Sequence, residues 1–280
     1  MGEFSADWLA LREAADHRSR SPELAGEVAR SFANQERISI VDLGCGTGSN
    51  LRALAPLLPR EQTWRLVDHD EALLSAARDA ISRWADDAEE RSGDLFVTRA
   101  GRRLRISFVC ANLARDLGTA LGTACDLVTA AALLDLVSVE WIGLLAEEVA
   151  RRKAAFYAVL NYTREERWSP LHPADADLFR TFHEHHARDK GFGSPAGSDL
   201  AAAVRRAFTD RHYRVRTADS PWHLGAEDAV LVQALATGIA DAVRETGSVD
   251  AAVISDWLRH RLSGATCTVN HCDFFAAPSA

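Results

Sequence analysis

The sequence predicts an α/β fold: a mostly parallel sheet wrapped by helices on both faces. Two observations carry the prediction. Between residues 37 and 160, short β-branched runs alternate with segments whose apolar residues recur at helical spacing, the pattern of successive strand–helix–strand units. The first of those runs ends in Val41-Asp-Leu-Gly-Cys-Gly-Thr-Gly-Ser-Asn50, which sets glycines at 44, 46 and 48 between a strand and a helix. The chain has 280 residues, 47% of them apolar, enough for one large domain over 1–280 with a sizeable core.

Two helices open the chain, over 1–36. Trp8, Leu9, Leu11, Ala14 and Ala15 predict the first. The second starts at Ser21-Pro22-Glu23 and runs to about Asn34: the Ser21 hydroxyl caps the first turn, Pro22 has its φ preset, and Glu23 complements the helix dipole. The core, 37–160, begins with a strand at 37–43, apolar on both faces. A helix over 50–58 stops at Pro59, and a second strand spans 63–67. Asp70 caps a helix over 71–85 that carries Leu73, Leu74, Ala77 and Ile81 on one face. Segments 95–98 and 104–110 form a hairpin or a broken third strand, turning at Ala100-Gly101. A fourth strand at 126–130, a helix at 139–151 and a fifth strand at 154–160 complete the regular part.

After Asn161 the pattern loosens, and 161–210 reads as an insertion on the substrate side. It holds a polar and aromatic stretch from Thr163 to Pro173, a helix over 174–188, the loop Lys190-Gly-Phe-Gly-Ser-Pro195 and a helix over 199–207. Residues 211–280 add a strand at 213–217, helices at 226–245 and 249–262, and an alternating strand at 266–276.

The net charge of -8 disfavours a protein whose main task is gripping a nucleic-acid backbone. No apolar run reaches membrane-spanning length, and residues 1–20 carry too many charges for a signal peptide. Cysteines 45, 110, 125, 267 and 272 are scattered, without CxxC pairs or metal-site spacing; they read as reduced thiols of a cytoplasmic protein that holds no metal.

The glycine loop narrows the ligand. A nucleoside-triphosphate loop ends in Gly-Lys-Ser/Thr, whereas Gly48 is followed by Ser49. A dinucleotide fingerprint needs its third glycine at 49, one place later than here, and Asp42 would face a pyrophosphate unfavourably. A ligand that is positively charged at its reacting end suits nearby carboxylates. S-adenosylmethionine, which bears a sulfonium and an ammonium, is such a ligand. Asp42-Leu-Gly-Cys-Gly-Thr-Gly48 resembles the first motif of class I S-adenosylmethionine-dependent methyltransferases; Arg65-Leu-Val-Asp68 resembles the end of their second strand, Cys110-Ala-Asn112-Leu113 their third motif with Asn for Asp, and Asp126-Leu-Val-Thr-Ala130 their fourth strand.

The resemblance implies a Rossmann-like, doubly wound, seven-stranded sheet with an antiparallel last strand at Cys267–Phe275, an N-terminal helical cover and an insertion after strand five. It also implies the cofactor site. Asp42, Gly44, Cys45, Gly46, Gly48 and Asn50, in and beside the glycine loop, would bind the cofactor. Asp68 would accept both ribose hydroxyls beside His69, Asn112 and Leu113 would hold the adenine, and Ala130 would offer its carbonyl to the ammonium. Arg12, Arg18 and Arg20 are candidates for the cofactor's carboxylate, Arg20 foremost. Asp135 lies near the place where related enzymes carry a histidine facing the methyl group; it is the catalytic candidate, with helix capping or an ion pair as its structural alternative. His183 and His186 share a helix face, and Lys190-Gly-Phe-Gly193 is a candidate lid with Phe192 over the pocket.

The expected activity is methyl transfer to oxygen or nitrogen of a small molecule, leaving S-adenosylhomocysteine, by a monomer or homodimer. Three alternatives stay open: a non-catalytic cofactor-binding protein that serves a partner protein, a protein or RNA methyltransferase, and a nicotinamide oxidoreductase.

Overall fold

The structure is a computed structural model that describes residues 5–279. Helices α1 (Ala6–Ser19) and α2 (Pro22–Phe32) precede β1 (Arg37–Leu43). Then follow α3 (Ser49–Leu54), β2 (Glu61–Asp68), α4 (Glu71–Trp84), β3 (Asp87–Arg91), β4 (Asp94–Arg99), β5 (Arg102–Cys110), α5 (Leu117–Leu121), β6 (Leu127–Ala131) and α6 (Val139–Arg152). The second half contains β7 (Ala155–Ser169), α7 (Asp175–His186), α8 (Leu200–Thr209), β8 (Tyr213–Asp219), β9 (Trp222–Leu224), α9 (Ala229–Thr246), α10 (Ala251–Leu262) and β10 (Thr266–Pro278).

One sheet of ten strands runs β3-β4-β5-β2-β1-β6-β7-β10-β8, with β9 paired to β10. Its middle, β5-β2-β1-β6-β7, is parallel, and β10 lies antiparallel to both β7 and β8. The expected seven strands are therefore β5, β2, β1, β6, β7, β10 and β8, and β3, β4 and β9 are additions.

Strand β1 shows why the sheet is covered twice. Ile38 and Ile40 point to one face, where they meet Leu24 and Val28 of α2, Leu51 and Leu54 of α3, and Ile81 of α4. Val41 and Leu43 point to the other, against Ile142, Leu145 and Val149 of α6 and Val204 and Phe208 of α8. Alternating side chains of one strand thus bury into two helix layers, which is possible because β1 carries apolar residues on both faces, Ile38 and Ile40 on one and Val41 and Leu43 on the other. The caps expected from sequence form: Leu24 N–H bonds the Ser21 hydroxyl at 3.3 Å and Ala72 N–H bonds Asp70 at 2.8 Å. A third apolar cluster, with Trp168, Trp222 and Trp257 among its residues, joins α7, α9 and α10 to the far end of β7 and β10.

The expectations fail in five places, one of them the short α5, which the sequence reading leaves out. The helix expected over 50–58 ends at Leu54 and tightens into a 3-10 turn, Ala55–Leu57, at Pro56. Strand β3 is missing from the sequence reading because its residues, Asp87-Ala-Glu-Glu-Arg91, are all exposed and lack any apolar alternation; only the antiparallel ladder to β4 makes them a strand. Strand β9 is three residues long. The largest difference is β7, which does not end at Leu160 but runs on to Ser169. Its outer half, Thr163-Arg-Glu-Glu-Arg167, is polar and partly exposed, yet β10 pairs with it from Glu166↔Val269 out to Ser169↔Thr266. Asp273 pins the bend between the two halves: its carboxylate accepts Leu160 N–H at 2.8 Å, Ser220 Oγ–H at 2.6 Å and Ser21 N–H at 2.9 Å. Among the described residues no helix is long and apolar enough to cross a membrane.

Candidate functional site

A cavity of about 450 Å³ opens at the carboxyl ends of β1, β2, β5 and β6. This is the end of a parallel sheet where crossovers to opposite faces leave a crevice. Its floor is the glycine loop. Gly44, Gly46 and Gly48 all have left-handed φ, of 63°, 51° and 74°. At Gly46 a Cβ would come within 2.8 Å of Leu9 Cδ1, and at Gly48 within 2.9 Å of Ile81 Cδ1. The first glycine lets α1 lie directly on the loop, and the second lets α4 pack beneath it.

Asp68 ties the loop to β2. It is 5% exposed, and its carboxylate accepts Gly46 N–H at 2.9 Å and Asp70 N–H at 3.1 Å. His69, largely exposed, sits with Nδ1 3.3 Å from the same carboxylate. A carboxylate has about four acceptor positions. Two of Asp68's are used by backbone, and the group still lines the cavity.

A second chain of contacts crosses the floor. Asp42 is fully buried and accepts Asn50 Nδ2–H at 2.7 Å. Burial pushes its carboxyl up to about 7, and the Asn50 hydrogen bond and the Arg20 guanidinium pull against that rise. Asn50 also donates to Thr129 Oγ1 at 3.1 Å, and its oxygen accepts Arg20 Nη1–H at 2.6 Å. Arg20 Nε is buried without a partner. An unsatisfied guanidinium donor at a cavity wall is an open place for an anion.

The roof is α1, held down by polar contacts. Arg52 bonds Glu13 at 2.9 Å and the Thr47 carbonyl at 2.7 Å, and His17 Nε2 lies 2.9 Å from Ser49 Oγ. Arg12 pairs with Asp16 at 2.9 Å and stacks 4.9 Å over Trp222, whose Nε1–H donates to Asp16. Arg12, Asp16 and Arg20, four residues apart, all line the cavity. Arg18 does not; it pairs with Asp228. At the β5 end Asn112 and Leu113 reach the cavity. The Asn112 side-chain oxygen accepts Ala114 N–H at 2.9 Å, and the Leu113 carbonyl accepts Trp141 Nε1–H at 3.0 Å. The loop after α7 closes the remaining side with Lys190, Gly191 and Phe192; Asp189 accepts Gly191 and Gly193 N–H groups, and Phe192 packs edge-on against Trp141 at 5.4 Å.

Of the thirteen residues assigned from sequence to cofactor binding or catalysis, nine line the cavity: Arg20, Gly44, Cys45, Gly46, Asn50, Asp68, His69, Asn112 and Leu113. Four do not. Asp42 reaches it only through Asn50. Gly48 is spent on the α3 start and the α4 contact. Ala130 is wholly buried in the sheet, with Ala131, Ala132 and Leu133 at the wall instead. Asp135 stands between Leu133 and Leu136 in sequence but turns away from the wall; it is 8% exposed, and Oδ2 lies 3.6 Å from His186 Nε2. It caps no helix, since Ser138 caps α6. Burial raises Asp135 to about 6 and lowers His186 to about 3. His183 is bound to Glu166 at 3.0 Å and to Tyr162 at 3.1 Å. Arg12, a candidate from the sequence, is at the wall, whereas Leu9 and Asp16 were missed because they lie on a helix with no single apolar face; the place of Asp16 four residues from both Arg12 and Arg20 was the available signal.

No protein-family model matches the chain, and no curated protein matches it. Solved structures do. A cyclopropane-fatty-acyl-phospholipid synthase-like protein from Lactobacillus casei is 14% identical, over 98% of this chain and 94% of that one, with a TM-score of 0.52. A cyclopropane synthase from Mycobacterium tuberculosis is 10% identical over the same shares, also with a TM-score of 0.52. A proposed type II methyltransferase from Anaeromyxobacter dehalogenans is 18% identical, over 92% of this chain and 97% of that one, with a TM-score of 0.51. At these identities the likeness shows the fold: it is the Rossmann-like fold anticipated from the glycine loop.

Proposed function

We propose that this chain is an S-adenosylmethionine-dependent methyltransferase acting on oxygen or nitrogen of a small molecule. The observation that carries the reading is the pairing of Asp68 with the glycine loop at one end of the cavity and of Arg20, with its unused Nε, at the other. The two charges match a ligand with vicinal hydroxyls at one end and a carboxylate at the other. A nicotinamide dinucleotide would bring its pyrophosphate against the loop to which Asp68 and Asp42 already contribute negative charge.

The residues fit the cofactor as follows. Asp68 holds the ribose hydroxyls through acceptor positions left free by Gly46 and Asp70. Asn112 and Leu113 border the adenine, and Leu73 supplies an apolar wall. Arg20, oriented by Asn50, binds the carboxylate, and Asp42 fixes Asn50. When bound, the cofactor supplies an electrophilic methyl group on sulfur. The chain contributes alignment and dryness: α1 and Phe192 close over the cavity and keep water from competing with the acceptor. A volume of about 450 Å³ under this cover suits a small acceptor better than a polymer, which needs an open groove. Asp135 lies outside the cavity wall, so its part is electrostatic, toward the neighbouring Lys190, rather than direct proton removal.

Calorimetry with S-adenosylhomocysteine and with NAD tests the reading. Binding of S-adenosylhomocysteine alone is expected; binding of NAD alone refutes it. Formation of S-adenosylhomocysteine from S-adenosylmethionine with an acceptor separates an enzyme from a protein that only binds the cofactor.

A further inference from the structure

Helix α1 buries an ion pair where a roof helix would ordinarily bury apolar side chains. Its buried residues are Arg12, Ala15 and Asp16. Charged side chains are seldom enclosed unless paired, and apolar residues of similar volume often hold a helix down at lower cost. The pair is fixed from two sides. Arg12 Nε–H donates to Asp16 Oδ2 at 2.9 Å, and Arg12 Nη2–H donates to Oδ1 at 3.1 Å. The guanidinium lies 4.9 Å from the ring centroid of Trp222, whose Nε1–H donates to Asp16 Oδ1 at 3.1 Å. Trp222 is buried and opens β9, one of the strands added to the seven-stranded plan.

Arg12 and Asp16 both line the cavity, and each has hydrogen-bonding capacity left over. A guanidinium carries five N–H groups. Arg12 uses two of them on Asp16, and the others have no partner among the described residues. Nη1 is not sealed within the protein, so its N–H groups open on the cavity. Asp16 has about four acceptor positions, of which Arg12 and Trp222 take three, leaving one on Oδ2. The pair also stands apart from the place of the cofactor's carboxylate. Arg20 follows Arg12 by eight residues, about 12 Å of helix rise, and is oriented there by Asn50. Of the wall residues that the cofactor does not claim, Leu133, Leu136 and Phe192 are apolar.

We infer that the methyl acceptor presents an uncharged, amide-like edge, an oxygen beside an N–H or O–H, and that Arg12 and Asp16 bind it. Arg12 Nη1–H donates to the oxygen, and Asp16 Oδ2 accepts from the neighbouring donor. The ion pair has no net charge, so it suits a neutral partner. An anion would set an oxygen against the Asp16 carboxylate, and a cation would leave the Arg12 donors unmet. Asp16 and Trp222 fix the guanidinium in advance, so little side-chain freedom is lost on binding. Trp222 touches no substrate in this scheme; it is a positioning residue that acts through Arg12 and Asp16. The inference rests on the methyl-transfer reading and adds the acceptor's chemistry to it.

The test uses the full chain saturated with S-adenosylhomocysteine and three probes of one shape. Benzamide, benzoate and benzamidine are neutral, anionic and cationic near neutral pH. Calorimetry is expected to show benzamide binding about tenfold or more tightly than either ion. R12Q should weaken benzamide by about tenfold or more, the loss of one charge-assisted hydrogen bond, while the S-adenosylhomocysteine Kd stays within about twofold. D16N should reverse the order of the probes. Its amide can donate where the carboxylate accepts, and Arg12 is left without a counter-charge, so benzoate should bind more tightly than benzamide. An ion pair that only held α1 in place would weaken all three probes together and leave their order unchanged. Absence of benzamide binding to the wild type, an ion that matches benzamide there, or an unchanged order in D16N overturns the inference. So does a loss of S-adenosylhomocysteine binding confined to R12Q, which would assign Arg12 to the cofactor's own carboxylate. If R12Q does not fold, the order of the probes on D16N decides alone. Failure of the wild type to bind S-adenosylhomocysteine would instead sink the methyl-transfer reading beneath it.

Discussion

Replacing Asp68 with alanine probes the cofactor site at its most constrained point. The carboxylate is 5% exposed and accepts backbone N–H groups from Gly46 at 2.9 Å and Asp70 at 3.1 Å. In the bound state it would accept two ribose hydroxyls as well. Hydrogen bonds to a charged acceptor contribute about 1.5–3 kcal/mol each, so their loss amounts to about 3–6 kcal/mol. At about 1.4 kcal/mol per tenfold, the Kd for S-adenosylhomocysteine should rise between about 100-fold and 10⁴-fold. The same change strips Gly46 N–H of its partner, which costs about 1–3 kcal/mol of stability and loosens the loop under the ligand. Asp68→Asn separates the two effects: it keeps an acceptor oxygen for one backbone N–H but lacks the charge, and should fall between wild type and Asp68→Ala. Calorimetry with S-adenosylhomocysteine measures affinity, and a thermal melt followed by circular dichroism shows that each variant is folded. If Asp68→Ala is folded and binds within threefold of wild type, Asp68 does not hold the ribose.

Three further outcomes are expected. Arg20→Ala should weaken S-adenosylhomocysteine by about ten- to a hundredfold, one charge-assisted contact, while 5′-methylthioadenosine, which lacks the carboxylate, binds as to wild type; calorimetry with both ligands checks this. Gly48→Ala should destabilise the fold by about 2–4 kcal/mol, because a left-handed alanine costs about 1–2 kcal/mol and its Cβ presses on Ile81, and urea unfolding measures it. His271 is buried with Nδ1 unpartnered, and burial lowers it to about 3. Between pH 6.5 and 3 the unfolded chain therefore binds a proton that the folded chain does not, so this residue's contribution falls with acidification, by up to about 1.4 kcal/mol per pH unit. His271→Phe, which keeps a ring between Tyr162 and Trp222, should flatten the pH dependence of unfolding free energy over that window; an unchanged slope would refute the assignment.

How much of the site could be read in advance depends on the range of the forces that build it. The glycine loop was legible because its geometry is local: a strand must end, a helix must begin within a few residues, and only glycines at 44, 46 and 48 allow the turn. Asp68 was legible for the same reason, standing at the end of the next parallel strand. Asp42 and Gly48 carried the right motif but not the right place. Whether a side chain reaches a cavity or supports its neighbour is settled by Asn50 in one case and by Ile81 of α4 in the other, and neither contact is visible in a window of sequence.

The sequence by itself determined the strands and helices from β1 to α6, β3 and α5 excepted, and the chemistry of the loop, because apolar periodicity, caps and turns act over a few residues. The tertiary structure decided what lies beyond. The outer half of β7 is polar and becomes a strand only because β10, about a hundred residues later, supplies a ladder for it. Helix α1 is the roof because Arg52 and Ser49 meet its polar side, where an amphipathic pattern would call for an apolar one. Lys190 and Phe192 join Gly44 and Asp68 at one cavity only once the loop after α7 has packed against Trp141. Long-range pairing and the burial of charge are properties of the assembled molecule, and they are what turned a recognisable loop into a covered site.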